Sequence, residues 1–257
     1  SSQNKMIAEI AKTLSGEYPE LNPILCVEAP TGTGKTMSPI GLASHHRIIF
    51  VCVARHIGLA LAKSAISMEK KVAFAFGCET ADDIRLHYSA ASVYARNRRT
   101  GGIGKVDNSV GDKVEIMICD IKSYLCAMYY MRSFNMDDGG KYLDHNIITY
   151  WDEPTITLDY EDHELHPIIS NTWKKNIIPN IILSSATLPH KEDLINTINN
   201  FKEKYEHAII YNITSHDCNK SIPIINSSNF VEMPHLKYEN YDELRGCIEH
   251  SKKNKTL

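Results

Sequence analysis

The sequence has no long apolar stretch. No window approaches the roughly 18 uninterrupted apolar residues of a membrane-spanning helix, and the opening SSQNKMIAEI lacks a basic segment followed by an apolar one. Neither a membrane span nor a secretory signal is expected, and no membrane partner. Charge of one sign is also missing. A net −3 over 257 residues excludes binding of nucleic acid by bulk charge alone. No CxxC pair occurs, and no Cys/His spacing fits a zinc ribbon or finger. The seven cysteines, at 26, 52, 78, 119, 126, 218 and 247, are odd in number. They read as reduced thiols in an intracellular compartment, with Cys26, Cys52 and Cys119 inert inside apolar runs. Internal repeats and low-complexity tracts are absent as well. A composition of 43% hydrophobic and 23% charged residues favours neither disorder nor a fibrous fold.

What is present is alternation. Short β-branched runs at Ile24–Glu28, Ile48–Val53, Val72–Phe76, Val114–Cys119, Asn146–Trp151, Asn180–Ser184 and Ala208–Ile213 read as strands. Helix-period stretches lie between them. Ile57–Met68 places Ile57, Ala60, Leu61, Ala65 and Met68 on one face. Ile121–Met131 aligns Ile121, Leu125, Met128 and Tyr129 behind a capping Asp120, and Lys191–Phe201 carries Leu194, Ile195, Ile198 and Phe201. Continuous apolar strands alternating with amphipathic helices predict an α/β fold whose mainly parallel sheet is covered on both faces, with functional loops at the strands' C-terminal ends. Residues 96–112, polar and rich in glycine, read as a long surface loop. Its Arg96, Arg98, Arg99 and Lys105 could touch phosphate, against the plainer reading of a solvated insertion. Residues 216–257 show little periodicity before a helix from Tyr241.

The strongest local signal is ILCVEAPTGTGKTMSP, a strand entering the run Ala29, Pro30, Thr31, Gly32, Thr33, Gly34, Lys35, Thr36. Glycines let backbone N–H groups curl around a phosphate, and the helix N-terminus adds partial positive charge. Lys35 then reaches the β- and γ-phosphates, and the Thr36 hydroxyl ligates Mg²⁺. Pro39, just inside the following helix, predicts a distorted first turn. A triphosphate site needs a metal partner, and HNIITYWDEPT supplies one 117 residues after Lys35. Asp152 at the strand tip would hold Mg²⁺ through water, and Glu153 would orient and deprotonate an attacking water. The competing reading is a strand-ending turn at Asp-Glu-Pro.

APTGTGKT, WDEPT and SSATLP at 184–189 resemble, in order and spacing, motifs I, II and III of superfamily 2 helicases and translocases. The resemblance covers roughly residues 1–215, the first RecA-like domain, and leaves 216–257 as an extension towards a second one. It implies a three-layer RecA-like P-loop domain, an ATP- and Mg²⁺-dependent motor, and single-stranded DNA or RNA as track. FVCVARHIGLALAKS is similar to motif Ia, which implies backbone contacts from Arg55 and His56. ICDIKSYLCA stands at motif Ib, implying the same for Asp120 and Lys122. Gln3 stands where the family's adenine-contacting Gln lies, and Ser185, Ala186 and Thr187 would couple nucleotide to track. The wording VEAPTGTGKT and an AT-biased composition resemble helicases of giant DNA viruses, which implies a cytoplasmic or viral location.

Three departures qualify the resemblance. Motif II reads DEPT, leaving Thr155 to bond towards Ser185 or Thr187. The interval between motifs Ia and II holds only Cys78, Cys119 and Cys126, one short of an iron–sulphur cluster's four thiolates. No motif IV, V or VI follows, so the arginine finger, worth ~10³–10⁵ in rate, would have to come from outside the chain. A weakly active piece of a longer motor is expected. A nucleotide-dependent scaffold or switch remains open beside it, as does a small-molecule kinase, in which SATLP would have no role. The cluster Glu161, Asp162, His163, Glu164 and His166 reads as a solvated loop, His45-His46 as a turn, and Tyr88, Tyr129 and Tyr130 as packing residues that could otherwise stack bases.

Overall fold

All seven apolar runs become strands of one eight-stranded sheet. The computed structural model describes residues 24–30, 37–154, 162–185, 191–215, 224–225, 227–228, 231–232 and 240–254. Its first unit, residues 1–30 with 34–214, contains β1 (Ile24–Pro30), β2 (Arg47–Cys52), β3 (Val72–Ala75), β4 (Arg85–Leu86), β7 (Ile116–Asp120), β8 (Ile147–Asp152), β9 (Asn180–Ser184) and most of β10 (Ile209–Ser215). The sheet order is β10-β1-β9-β8-β2-β7-β3-β4. β1–β9, β9–β8, β8–β2, β2–β7 and β7–β3 pair in parallel, and the short β4 pairs antiparallel to β3. A second unit, residues 31–33 with 215–257, contains the antiparallel pair β11 (Ile224–Ile225) and β12 (Val231–Glu232) and the helix Tyr241–Asn254.

Alternation within the central strands sorts their side chains between two apolar layers. Ile48, Phe50, Ile116, Ile118, Ile148, Tyr150 and Ile182 face one layer, whereas Ile49, Val51, Met117, Cys119, Trp151, Ile181 and Leu183 face the other. Helices α1 (Met37–Leu42) and α2 (Arg55–Ser67) cover the first face. α3 (Tyr124–Ser133), α4 (His166–Lys175) and α5 (Lys191–Lys204) cover the second. The result is the expected α/β arrangement, a mainly parallel sheet between two helical layers.

The structure bears out Leu61 and Ala65 of α2, Met128 of α3 and Phe201 of α5 as inward-facing, and corrects their neighbours. On α2 the buried residues are Gly58, Leu61, Ala62 and Ala65, whereas Ala60 is exposed and Met68 lies beyond the helix end, half exposed. Gly58 is the reason. A Cβ there would stand 2.7 Å from Ile118 and 2.9 Å from the Cys52 sulfur, so the helix packs on its smallest residues and comes closer to the sheet. On α3, Tyr124, Ala127, Met128, Tyr130 and Met131 turn inward and Tyr129 stays half exposed. On α5, Phe201 is buried but Ile195 is exposed. α4 has no counterpart among the helices expected from sequence, because its apolar residues Ile168, Ile169 and Trp173 are too few to stand out.

The span read as a loop is also corrected. It begins at Arg96, the last residue of β5 (Tyr94–Arg96), and contains β6 (Ile103–Val106), the two strands forming an antiparallel ribbon of their own. Glycine content masked it, since only one residue in β5 and two in β6 are large and apolar. Pro39 is the third residue of α1 and is buried, and its carbonyl accepts from the Ala43 N–H at 3.0 Å.

Candidate functional site

The sheet order puts the three motif-bearing strands side by side. β9 lies between β1 and β8, and the register aligns Glu28 with Ser184 and Ser184 with Asp152. In a parallel sheet these aligned ends share one edge, so Pro30, the last residue of β1, Ser184 and Asp152 end their strands at the same edge. These residues are far apart in sequence; hydrogen-bond register alone assembles them. β2 and β7 end at that edge too, with Cys52 opposite Asp120.

Asp152 is buried, 6% exposed, at the tip of β8. Glu153 follows at φ +50°, a left-handed backbone uncommon for a side chain this long and one that Pro154 makes less comfortable still. Backbone outliers of this kind cost about 1–3 kcal/mol and gather at functional sites. Two bonds hold it there. The Glu153 N–H donates to the Ser184 carbonyl at 2.7 Å, and the Ser185 hydroxyl donates to Glu153 Oε2 at 3.0 Å. Asp-Glu-Pro thus ends the strand in a strained turn that aims a carboxylate at the neighbouring motif. The Ser184 hydroxyl, fully buried and register-aligned with Asp152, has no partner among the described residues. A buried carboxylate, a second one fixed beside it and an unpartnered hydroxyl fit a hydrated divalent cation better than they fit an apolar filling. Among the described residues no cluster of three or more His, Cys, Asp or Glu could hold a metal by itself.

Across the edge, Asp120 is occupied by backbone. Its Oδ1 accepts from the Ser123 N–H at 2.7 Å and its Oδ2 from the Gly77 N–H at 2.8 Å. It caps the turn ahead of α3 and ties β7 to the end of β3. Arg55 and His56 form the first turn of α2, whose N-cap Ala54 supplies no side-chain bond and whose first turn holds no acid. The guanidinium of Arg55 lies 5.2 Å above the Phe76 ring. Lys122 is exposed and meets Glu164 at 3.7 Å. Cys52 and Cys119 are buried as expected; burial raises both thiols, Cys52 to about 11, with Asp152 and Asp120 adding to the effect there.

Gln3, Thr31, Gly32, Thr33, Gly34, Lys35, Thr36, Thr155, Glu161, Ala186 and Thr187 lie outside the described residues. Sequence reasoning passed over Ser184, a serine next to the one it chose, and the clamp made by Gly77 and Ser123. The Asp120–Ser123 spacing is a turn signal that could have revealed the latter. Nothing in the sequence marked Phe76.

No family model matches the chain, and no curated protein does. Among solved structures it is similar to the Hef helicase domain of Pyrococcus furiosus, at 14% identity over 88% of this chain and 40% of that one, TM-score 0.46. It is similar to a DEAD box protein from Methanococcus jannaschii at 17% identity, 82% and 48% coverage and TM-score 0.45. A third is Dbp5 of S. cerevisiae bound to Nup159, Gle1, IP6 and ADP, at 13% identity, 82% and 48% coverage and TM-score 0.44. None of the three supports a viral source. The chain spans less than half the length of each.

Proposed function

We propose that this chain is the first RecA-like, ATP-binding half of a superfamily 2 helicase or translocase, coupling Mg²⁺-dependent ATP hydrolysis to movement on single-stranded DNA or RNA. The observation that carries the reading is the adjacency of β1, β9 and β8, which brings the ends of three motif strands to one edge. A second RecA-like domain completes the motor.

In this reading the loop 31–36 cradles the triphosphate, with Lys35 on the β- and γ-phosphates and Gln3 on adenine. Mg²⁺, held by Thr36 and through water by Asp152, would neutralise charge on the phosphate oxygens. Glu153 orients the attacking water and takes its proton as the new P–O bond forms; the bond between the β–γ bridging oxygen and the γ-phosphorus breaks, leaving ADP and phosphate. Because Ser185 holds one oxygen of that carboxylate, a shift of the 185–187 segment re-aims the base. Contacts from Arg55, His56 and Lys122 to a nucleic-acid backbone bias that shift. Asp120 acts as a positioning residue through its two backbone bonds.

The test is ATPase activity of a chain extended through the second domain, with and without single-stranded DNA or RNA. Stimulation by either is expected, and Lys35→Ala should abolish turnover without lowering the melting temperature. Tight ATP binding without turnover in the extended chain would instead favour a nucleotide-dependent switch.

A further inference from the structure

The ribbon β5–β6 is a built element with no evident reason inside the fold. It departs after β4 and is fixed at its base. The Asp107 N–H donates to the Val93 carbonyl at 3.0 Å, Asn108 Oδ1 accepts from the Leu86 N–H at 2.8 Å, and the Tyr130 hydroxyl donates to the Asn108 carbonyl at 2.9 Å. The tip is ordered as well. Asn97 Oδ1 accepts from the Arg99 N–H at 2.9 Å, the Gly101 N–H donates to the Asn97 carbonyl at 2.8 Å, and Gly101 adopts φ +69°. Every residue from Ser92 to Lys105 is exposed. Burial therefore cannot explain why the chain orders this ribbon.

Its charge points outward to a partner. Residues 94–106 carry Arg96, Arg98, Arg99 and Lys105 and no carboxylate, in a chain whose net charge is −3. Among the described residues none of the three arginines makes an ion pair, and Lys105 acts only electrostatically on Asp107. The nearest acids in sequence sit at the base, Asp107 bonded to Ser109 and Asp112 to Ser92. The tip from 95 to 105 has no aromatic residue; Tyr94 packs edge-on against Tyr88, 5.4 Å between centroids. Single-strand recognition relies on aromatic platforms, which this ribbon lacks at its tip. It offers instead cations on a narrow, glycine-rich two-stranded ribbon, a shape that a duplex groove about 12 Å wide admits.

We propose that the 94–106 ribbon is a second nucleic-acid contact, gripping the phosphate backbone of a duplex without reading sequence. The proposal rests on the reading of the chain as a nucleic-acid motor. Arg96, Arg98 and Arg99 supply the grip, and the anchored base holds them at a fixed place on the domain.

The experiment is fluorescence anisotropy of short labelled DNA and RNA duplexes with the whole chain across a salt series. The triple variant Arg96→Ala/Arg98→Ala/Arg99→Ala is run beside the natural chain, with binding of a labelled ATP analogue measured on both. Expected is a duplex affinity lowered about tenfold or more near 0.1 M salt, and a log–log salt slope shallower by about 0.9 for each phosphate that the variant no longer neutralises. ATP-analogue affinity should not change. Equal duplex affinity in the two proteins, or no duplex binding by the natural chain, overturns the proposal. Loss of binding to phosphatidylserine vesicles, with duplex binding intact, overturns it in favour of a lipid surface. Absence of ATP-analogue binding in the natural chain would count against the motor reading, a result separate from the ribbon's.

Discussion

His46 shows how a single side chain can impose a pH limit on the domain. It is 9% exposed, and its Nδ1 has no partner among the described residues. Burial lowers its pKa from the ordinary 6.5, with His45 and then His145 adding to the effect. His87 is lowered in the same direction, by burial and then by Lys71. A base whose folded pKa is depressed takes up its proton more readily when unfolded. Above about pH 6.5 both states are neutral and stability does not depend on these groups. As pH falls below that value the unfolded chain is protonated first and the fold loses stability. Thermal melts should therefore be flat from pH 8 to 7 and fall towards pH 5, and His46→Gln should make the fall shallower. An unchanged slope in that variant would remove His46 from the account.

At the scale of elements, Arg47 at the start of β2 joins three pieces of chain. Its Nε donates to the Val114 carbonyl at 2.8 Å, Nη1 to the Phe134 and Met131 carbonyls at 2.9 and 3.1 Å, and Nη2 to the Gly111 carbonyl at 2.7 Å. Two of these acceptors are at the C-terminal end of α3, where the helix dipole favours a cation. Burial lowers the guanidinium's pKa to about 10, so it stays charged at neutral pH. A single ammonium nitrogen cannot replace three guanidinium nitrogens spread over four carbonyls. Hydrogen bonds to charged groups are worth about 1.5–3 kcal/mol. Arg47→Lys should thus cost roughly 2–3 kcal/mol, or about 5–10 °C in melting temperature, and Arg47→Ala more. A Lys variant melting with the natural chain would show that the fork is dispensable. Nothing in RIIFVC announced this role, because the acceptors are 64 to 87 residues away. Legibility follows the same divide. Strands buried on both faces reveal themselves as runs such as IIFVC and IITYW, so the sheet could be read. The buried face of α2 could be read only at Leu61 and Ala65, because Gly58 counts for nothing in a hydrophobic pattern yet sets the contact. The ribbon escaped because Tyr94, Ile103 and Val106 are too few among glycines and cations to form a pattern.

For the whole molecule the decisive property is strand order. P-loop, DEPT and SSAT were visible as separate words; their adjacency arises only because β9 inserts between β1 and β8. Neighbouring strands in register then turn a bond of one residue into a link between two motifs. Ser185 reaches Glu153 across the β8–β9 boundary, 32 residues away in sequence, and Glu153 is kept in its left-handed conformation by the adjoining Ser184 carbonyl. If this is the coupling of the proposed motor, removing the hydroxyl should leave ATP binding nearly intact and free the carboxylate to adopt wrong orientations. The bond, neutral donor to charged acceptor, is worth about 1.5–3 kcal/mol, which converts to roughly 10- to 100-fold in rate if its whole effect falls on the transition state. Ser185→Ala in the extended chain should therefore lower nucleic-acid-stimulated kcat by that factor, with the KM for ATP changed less than about threefold. Ser185→Thr, which keeps the hydroxyl, should recover most of the activity. A large rise in KM at unchanged kcat would assign Ser185 to nucleotide binding, and the coupling role would have to be sought in the residues that follow it.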